Sequence, residues 1–282
     1  MQTQKQYSPT FSFEFFPPKT EKGAENLKHT RDELGKLGPE YFSVTFGAGG
    51  STQQGTIETV LDIKQNGFNA TPHLSCIGST ADNIRELLEL YQNNGINRIV
   101  ALRGDIPAGS EKAGKFQYAN ELVEFIRQVS GDYFHIEVAA YPESHPQSKS
   151  PVTDLQHFKL KVEAGANSAI TQYFYNIDAY LYFVDDCEKL GLDLPITPGI
   201  MPITNYVQLA RFSGMCGAEI PAWIRKRLQG FGDDKESIIA FGADVVTDLC
   251  QKLLDAGAPG LHFYTMNQIK ASRTLWNNLN LS

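Results

Sequence analysis

One unit recurs along the whole chain: a short apolar run, a polar loop, an amphipathic stretch and then a glycine. The apolar runs fall at residues 10–16, 41–46, 70–76, 98–102, 135–141, 169–174, 196–201 and 260–266. They read as eight strands, most of them starting roughly 30 residues apart, the size of a βα unit. Between them, Ile84, Leu87, Leu88 and Tyr91 follow the i, i+3, i+4, i+7 spacing of one helix face, as do Leu122, Phe125, Ile126 and Val129. Ser79 with Asp82 reads as a capping box ahead of the first of these helices. Eight alternating units favour a closed α/β architecture, a (β/α)8 TIM barrel. An open doubly wound sheet is the rival. It commonly carries a glycine fingerprint after its first strand, whereas here Phe16 is followed by Pro17 and Pro18.

At 282 residues the chain matches one such barrel. No low-complexity linker interrupts it, so residues 1–282 are expected to form one catalytic domain. The longest gap, between the seventh and eighth strands, holds a helix plus an insertion at residues 218–232 with Pro221 and Trp223. A closing helix is expected over residues 265–280. A net charge of −7, without a Lys/Arg run, argues against nucleic acid as the main partner. The four cysteines are scattered and form no C-x-x-C pair, which favours reduced thiols. No apolar stretch approaches a membrane span, and residues 1–10 lack an apolar signal core, so a cytoplasmic location is expected.

In a barrel the chemistry comes from strand ends and the loops after them. Along the first strand Phe11, Phe13 and Phe15 alternate with Ser12, Glu14 and Phe16. The phenylalanines are expected to face the helices, so Ser12 and Glu14 point into the barrel. Poor solvation there should raise the pKa of Glu14 and suit it to proton transfer. An inward glutamate paired with an Arg or Lys would serve structure instead, and the residues leave both readings open. The fourth strand runs into Arg103, Gly104 and Asp105: a cation for phosphate, a close backbone approach, and a carboxylate. Gly47-Ala-Gly-Gly-Ser51 offers either a phosphate cradle or a plain turn. His73 reads as a core histidine, and the histidines show no metal-ligand spacing, so no metal is expected. Gln172 can present donors and an acceptor to a heterocycle.

Taken in order, Ser12-Phe-Glu-Phe-Phe-Pro-Pro-Lys19, Ser43-Val-Thr-Phe-Gly-Ala48, Pro72-His-Leu-Ser-Cys76, Ala101-Leu-Arg-Gly-Asp105, Ala139-Ala-Tyr-Pro-Glu143, Ala169-Ile-Thr-Gln172 and His262-Phe-Tyr-Thr-Met-Asn267 resemble the bacterial methylenetetrahydrofolate reductases. That family is an FAD-containing (β/α)8 barrel. It reduces 5,10-methylenetetrahydrofolate to 5-methyltetrahydrofolate by ping-pong hydride transfer from NAD(P)H, and so supplies methyl groups for methionine synthesis. The resemblance implies Glu14 as the general acid for ring opening and Asp105 as an electrostatic aid to the iminium cation and a modulator of flavin potential. It implies an FAD site at Thr45, Phe46, Ala48, His73, Arg103, Gly104, Asp105, Tyr118, Tyr141, His145, Asp154, His157 and Lys161. Folate or nicotinamide would meet Asp105, Gln172, Gln208, Phe212 and Gln268. Gln268 stands where relatives carry a basic residue, and Leu160 where one would meet the pyrophosphate. NADH is the expected nicotinamide, with NADPH the alternative. A homo-oligomer, often a tetramer, and the absence of a C-terminal regulatory domain are further expectations. The competing readings are a barrel lyase or aldolase using Glu14 without flavin, and a non-catalytic folate or flavin carrier. No obvious inward lysine is available for a Schiff base, which weakens the first.

Overall fold

The computed structural model describes residues 1–46, 53–104 and 115–281. Its elements alternate as the repeat requires. β1 (Thr10–Phe15), α1 (Glu21–Gly35), β2 (Tyr41–Val44), α2 (Gln53–Gln65), β3 (Ala70–Ser75) and α3 (Ala81–Asn93) come first. β4 (Arg98–Leu102), α4 (Ala119–Ser130), β5 (His135–Ala140), α5 (Pro151–Glu163), β6 (Ser168–Thr171) and α6 (Ile177–Lys189) continue the pattern. β7 (Ile196–Thr197), β8 (Gly199–Ile200), α7 (Tyr206–Cys216), α8 (Ala222–Gly230), α9 (Lys235–Ala256), β9 (Gly260–Tyr264) and α10 (Ile269–Asn278) complete it. All pairings are parallel, in the order β7-β6-β5-β4-β3-β2-β1-β9-β8.

The expected seventh strand is two short pieces. β7 pairs with β6 and β8 with β9. Pro198 lies between them and has no N–H to give the ladder, while its carbonyl accepts the His262 N–H at 2.9 Å. One continuous stretch thus joins both ends of the sheet, and the ring is nearly closed.

The outward faces are apolar, as the periodicity requires. Phe13 and Phe15 are fully buried and meet the Phe42 ring at 6.0 and 5.1 Å, and Phe13 also meets Trp276 of α10 at 5.3 Å. Burial of each such ring stabilises the fold by about 2–3 kcal/mol. Ile84, Leu87, Leu88 and Tyr91 of α3 are buried as their spacing requires. The cap of that helix is Thr80 rather than Ser79: the Thr80 hydroxyl accepts the Asn83 N–H at 3.1 Å. The closing helix begins at Ile269, not at residue 265. Met266 and Asn267 hold φ of +53° and +55°, a left-handed backbone that a helix does not admit.

The interior is unusual. Barrel interiors are mostly branched aliphatic. Here Ser12, Glu14, Tyr41, Ser43, Thr71, His73, Glu137, Ser168, Thr171 and His262 are all buried. Bonds between non-adjacent strands show that they meet across the lumen: Tyr41 of β2 donates to Glu137 of β5 at 2.9 Å, and Tyr264 of β9 donates to the Thr171 carbonyl of β6 at 2.8 Å. No helix among the described residues is long and apolar enough to cross a membrane.

Candidate active site

Glu14 points inward, as the strand period indicates, near the carboxyl end of β1, and only 7% of it is exposed. Two imidazoles from different strands reach the same carboxylate oxygen. His73 Nε2 of β3 lies 3.3 Å from Glu14 Oε2, and His262 Nε2 of β9 lies 3.4 Å from it. His73 Nε2 stands at this distance without the alignment of a hydrogen bond. His262 is fully buried, and its Nδ1 lies 2.7 Å from the Ser12 hydroxyl.

This arrangement corrects the expected sign of the Glu14 shift. Burial does work to raise the pKa, but the charge of His73 and the hydrogen bond from His262 outweigh it, and the carboxyl is held at about 2. The partners are titratable imidazoles rather than the Arg or Lys of the structural alternative.

The strand ends around Glu14 are pinned by β9 and the loop after it. The Thr265 hydroxyl donates to the Glu14 carbonyl at 2.6 Å. The Asn267 side chain clamps Phe16 twice, accepting its N–H and donating to its carbonyl, each at 2.9 Å. The left-handed backbone of Asn267 delivers that amide; asparagine tolerates the region better than most residues.

Other expected site residues gather at this same mouth. Thr45 follows β2, and its buried hydroxyl has no hydrogen-bond partner among the described residues. Phe46 beside it is half-buried. Arg103 donates to Gln147, and its own carbonyl receives the Ser75 hydroxyl at 3.0 Å and the Ile77 N–H at 2.9 Å. Gly104 adopts φ +85°, and a Cβ there would fall 2.0 Å from Ser75 Oγ, so only glycine fits. Tyr141 packs edge-on to His145 at 4.6 Å, and the His145 N–H is accepted by Asp154 at 3.0 Å. Lys161 turns its ammonium onto the Ala139 carbonyl. Burial lowers its pKa to about 8, with Asp154 working in the opposite direction.

Tyr118 and His157 lie on the outer rim with ring centroids 6.2 Å apart, and Tyr118 is exposed. Leu160 is exposed, apolar and on the same helix as Lys161. Gln172 caps β6, its amide oxygen accepting the Tyr173 N–H at 3.0 Å. Exposed Gln208 and half-buried Phe212 stand one helical turn apart on α7, the spacing that places two side chains on one face. Gln268 is exposed at the N-cap of α10. Ala48, Asp105 and the Gly47–Ser51 loop lie outside the described residues.

His262, Thr265 and Asn267 lie in the last of the family-like stretches, where nothing in the local sequence gives them a role. Their partners are some 250 residues away in sequence, as for His262 and Ser12, and no local pattern conveys such a pairing. The one available signal was a histidine on the inward period of the last strand.

A family model described as methylenetetrahydrofolate reductase matches residues 1–280. The 5,10-methylenetetrahydrofolate reductase of Escherichia coli (strain K12) is 42% identical over 269 residues, spanning 95% of this chain and 90% of that protein. A methylenetetrahydrofolate reductase (NADH) of Arabidopsis thaliana is 42% identical over 98% of this chain and 49% of its own length. Among solved structures, a protein from Clostridium thermocellum described as binding two copies of 5-methyl-5,6,7,8-tetrahydrofolic acid superposes with a TM-score of 0.68. It covers 99% of this chain and 95% of its own, at 17% identity, a likeness of fold alone.

Proposed function

From the premise that this chain belongs to the methylenetetrahydrofolate reductase family and is an oxidoreductase, we propose that it reduces 5,10-methylenetetrahydrofolate to 5-methyltetrahydrofolate with FAD and NADH at the carboxyl mouth of the barrel. The observation that carries this reading is the buried Glu14 carboxylate held between His73 and His262.

Opening the folate imidazolidine ring needs a proton on the departing nitrogen and leaves a cationic iminium. Glu14 supplies the proton in this reading. A pKa of about 2 leaves the carboxyl ionised at neutral pH with no ligand bound, so in this reading it takes up its proton as the ligand binds. A ligand that excludes water from the mouth strips solvation from the carboxylate and so favours its protonated form. After the proton has left, the carboxylate stabilises the neighbouring cation. Asp105 is assigned the same electrostatic task on family resemblance.

FAD, when bound, supplies a two-electron carrier that takes hydride from the nicotinamide and gives it to the folate. The residues present fit such a group. Thr45 offers a buried hydroxyl with no hydrogen-bond partner among the described residues. Arg103 and Lys161 bring positive charge suited to phosphate, and Tyr141 a ring edge. Phe212 is assigned to stack on folate and nicotinamide in turn, which suits one pocket serving both. The same reading includes a homo-oligomer and a product that feeds methyl groups to methionine synthesis.

Absorbance of the purified protein tests the cofactor directly. A flavin spectrum, or its recovery on incubation with FAD, supports the reading; a colourless chain that takes up no FAD overturns it.

A further inference from the structure

The N-terminal turn Gln4–Gln6 covers the amino mouth of the barrel on the side near β7: the buried Gln4 side chain donates to the Leu194 carbonyl at 3.0 Å and accepts the Ile196 N–H at 2.8 Å. On the side of β2 to β5 there is a cavity of about 310 Å³, lined in part by Glu40, Lys64, Thr71, Asn97, Arg98 and His135. That volume is the lower end of the range for small-molecule sites. None of these residues belongs to the carboxyl mouth, where the reductase chemistry is assigned.

Three features of the lining point to an anion. The Thr71 hydroxyl is fully buried and has no hydrogen-bond partner among the described residues, yet Thr71 lines the cavity. A buried hydroxyl left without a partner is costly, and a ligand oxygen relieves it. The Lys64 ammonium forms no ion pair or hydrogen bond among the described residues. Arg98 uses one arm on Glu137 at 3.0 Å and stacks over Tyr41 at 4.7 Å, and its remaining N–H groups make no hydrogen bond among the described residues. A fixed, half-buried guanidinium with spare donors suits a planar or tetrahedral oxyanion.

The other titratable groups are compatible. Burial and the nearby Arg98 charge hold His135 at about 4, so at neutral pH it is an uncharged partner, 2.7 Å from the Ser168 hydroxyl. Glu137 already neutralises part of Arg98 from below. Glu40 opposes an anion, but it sits on the exposed rim, where water and salt screen it.

We propose that this second mouth is a binding site for a small molecule carrying a carboxylate or phosphate group, with the oxyanion on Lys64, Arg98 and the Thr71 hydroxyl. Calorimetric titration of the purified enzyme, saturated with FAD, with inorganic phosphate and separately with succinate tests it and separates the two oxyanion sources. Binding of at least one probe at millimolar concentration is expected. Lys64→Met and the near-isosteric Thr71→Val should each weaken that binding about fivefold or more, leaving flavin absorbance and thermal unfolding close to wild type. Absence of heat with both probes overturns the proposal, as does equal affinity in wild type and both variants. The result is independent of the reductase reading, because both substitutions lie at the mouth opposite Glu14.

Discussion

The Ser12 hydroxyl lies 2.7 Å from Nδ1 of His262, and this bond turns the other ring nitrogen, Nε2, toward Glu14 at 3.4 Å. Partners of this kind fix both ring orientation and tautomer. Ser12→Ala is expected to slow folate reduction about fivefold, the effect of losing roughly 1 kcal/mol of orientation. Reduction of the flavin by NADH should change little. Rapid-mixing kinetics of the two half-reactions check this, and equal slowing of both would remove the orienting role.

Asn267 joins the first and last strands through its two bonds to Phe16. Asn267→Ala breaks both and leaves half-buried backbone groups without these partners. A loss of about 1–3 kcal/mol in unfolding free energy is expected, measured by urea denaturation. Asn267→Asp keeps the acceptor but not the donor and should fall between the two.

Gly104→Ala places a methyl group 2.0 Å from Ser75 Oγ at a φ of +85°. The substitution should cost about 1–3 kcal/mol of stability through backbone strain and loosen FAD. Combining it with Ser75→Gly relieves the collision but not the strain, so the double variant should recover only part of the loss in thermal unfolding.

His135 is expected to set an acid limb of stability. Its pKa is depressed from 6.5 to about 4, first by burial and then by Arg98. The unfolded chain binds this proton more readily than the folded one. Stability therefore rises with pH across that window and is lost as pH falls from 6.5 toward 4. Glu14 adds a second loss lower down, between its ordinary 4.5 and about 2, because its carboxylate must be protonated there. His135→Gln should flatten the upper limb by about 1–3 kcal/mol at pH 4.5 relative to pH 7, as seen in denaturation curves at the two pH values.

Much of the architecture was legible in the chain. Period-two alternation turned Ser12 and Glu14 inward, and the helical spacing of Ile84 to Tyr91 identified the buried face of α3. Failures came where a single residue overrides a pattern. Pro198 splits one apolar run into two strands, and the left-handed Met266 and Asn267 delay the last helix. At the site, the position of Glu14 was readable but the direction of its shift was not. Burial is a local property of β1, whereas the imidazoles that reverse its effect arrive from β3 and β9. Periodicity says which way a side chain points and nothing about what it meets across the lumen.

The central claim is that Glu14 serves the folate half-reaction as its acid. Stopped-flow spectroscopy of Glu14→Gln measures it, with flavin reduction by NADH followed by reoxidation with methylenetetrahydrofolate. Reduction is expected to stay within a few-fold of wild type while reoxidation falls by about a hundredfold or more, the usual contribution of a positioned general acid. Reoxidation at the wild-type rate would contradict the account.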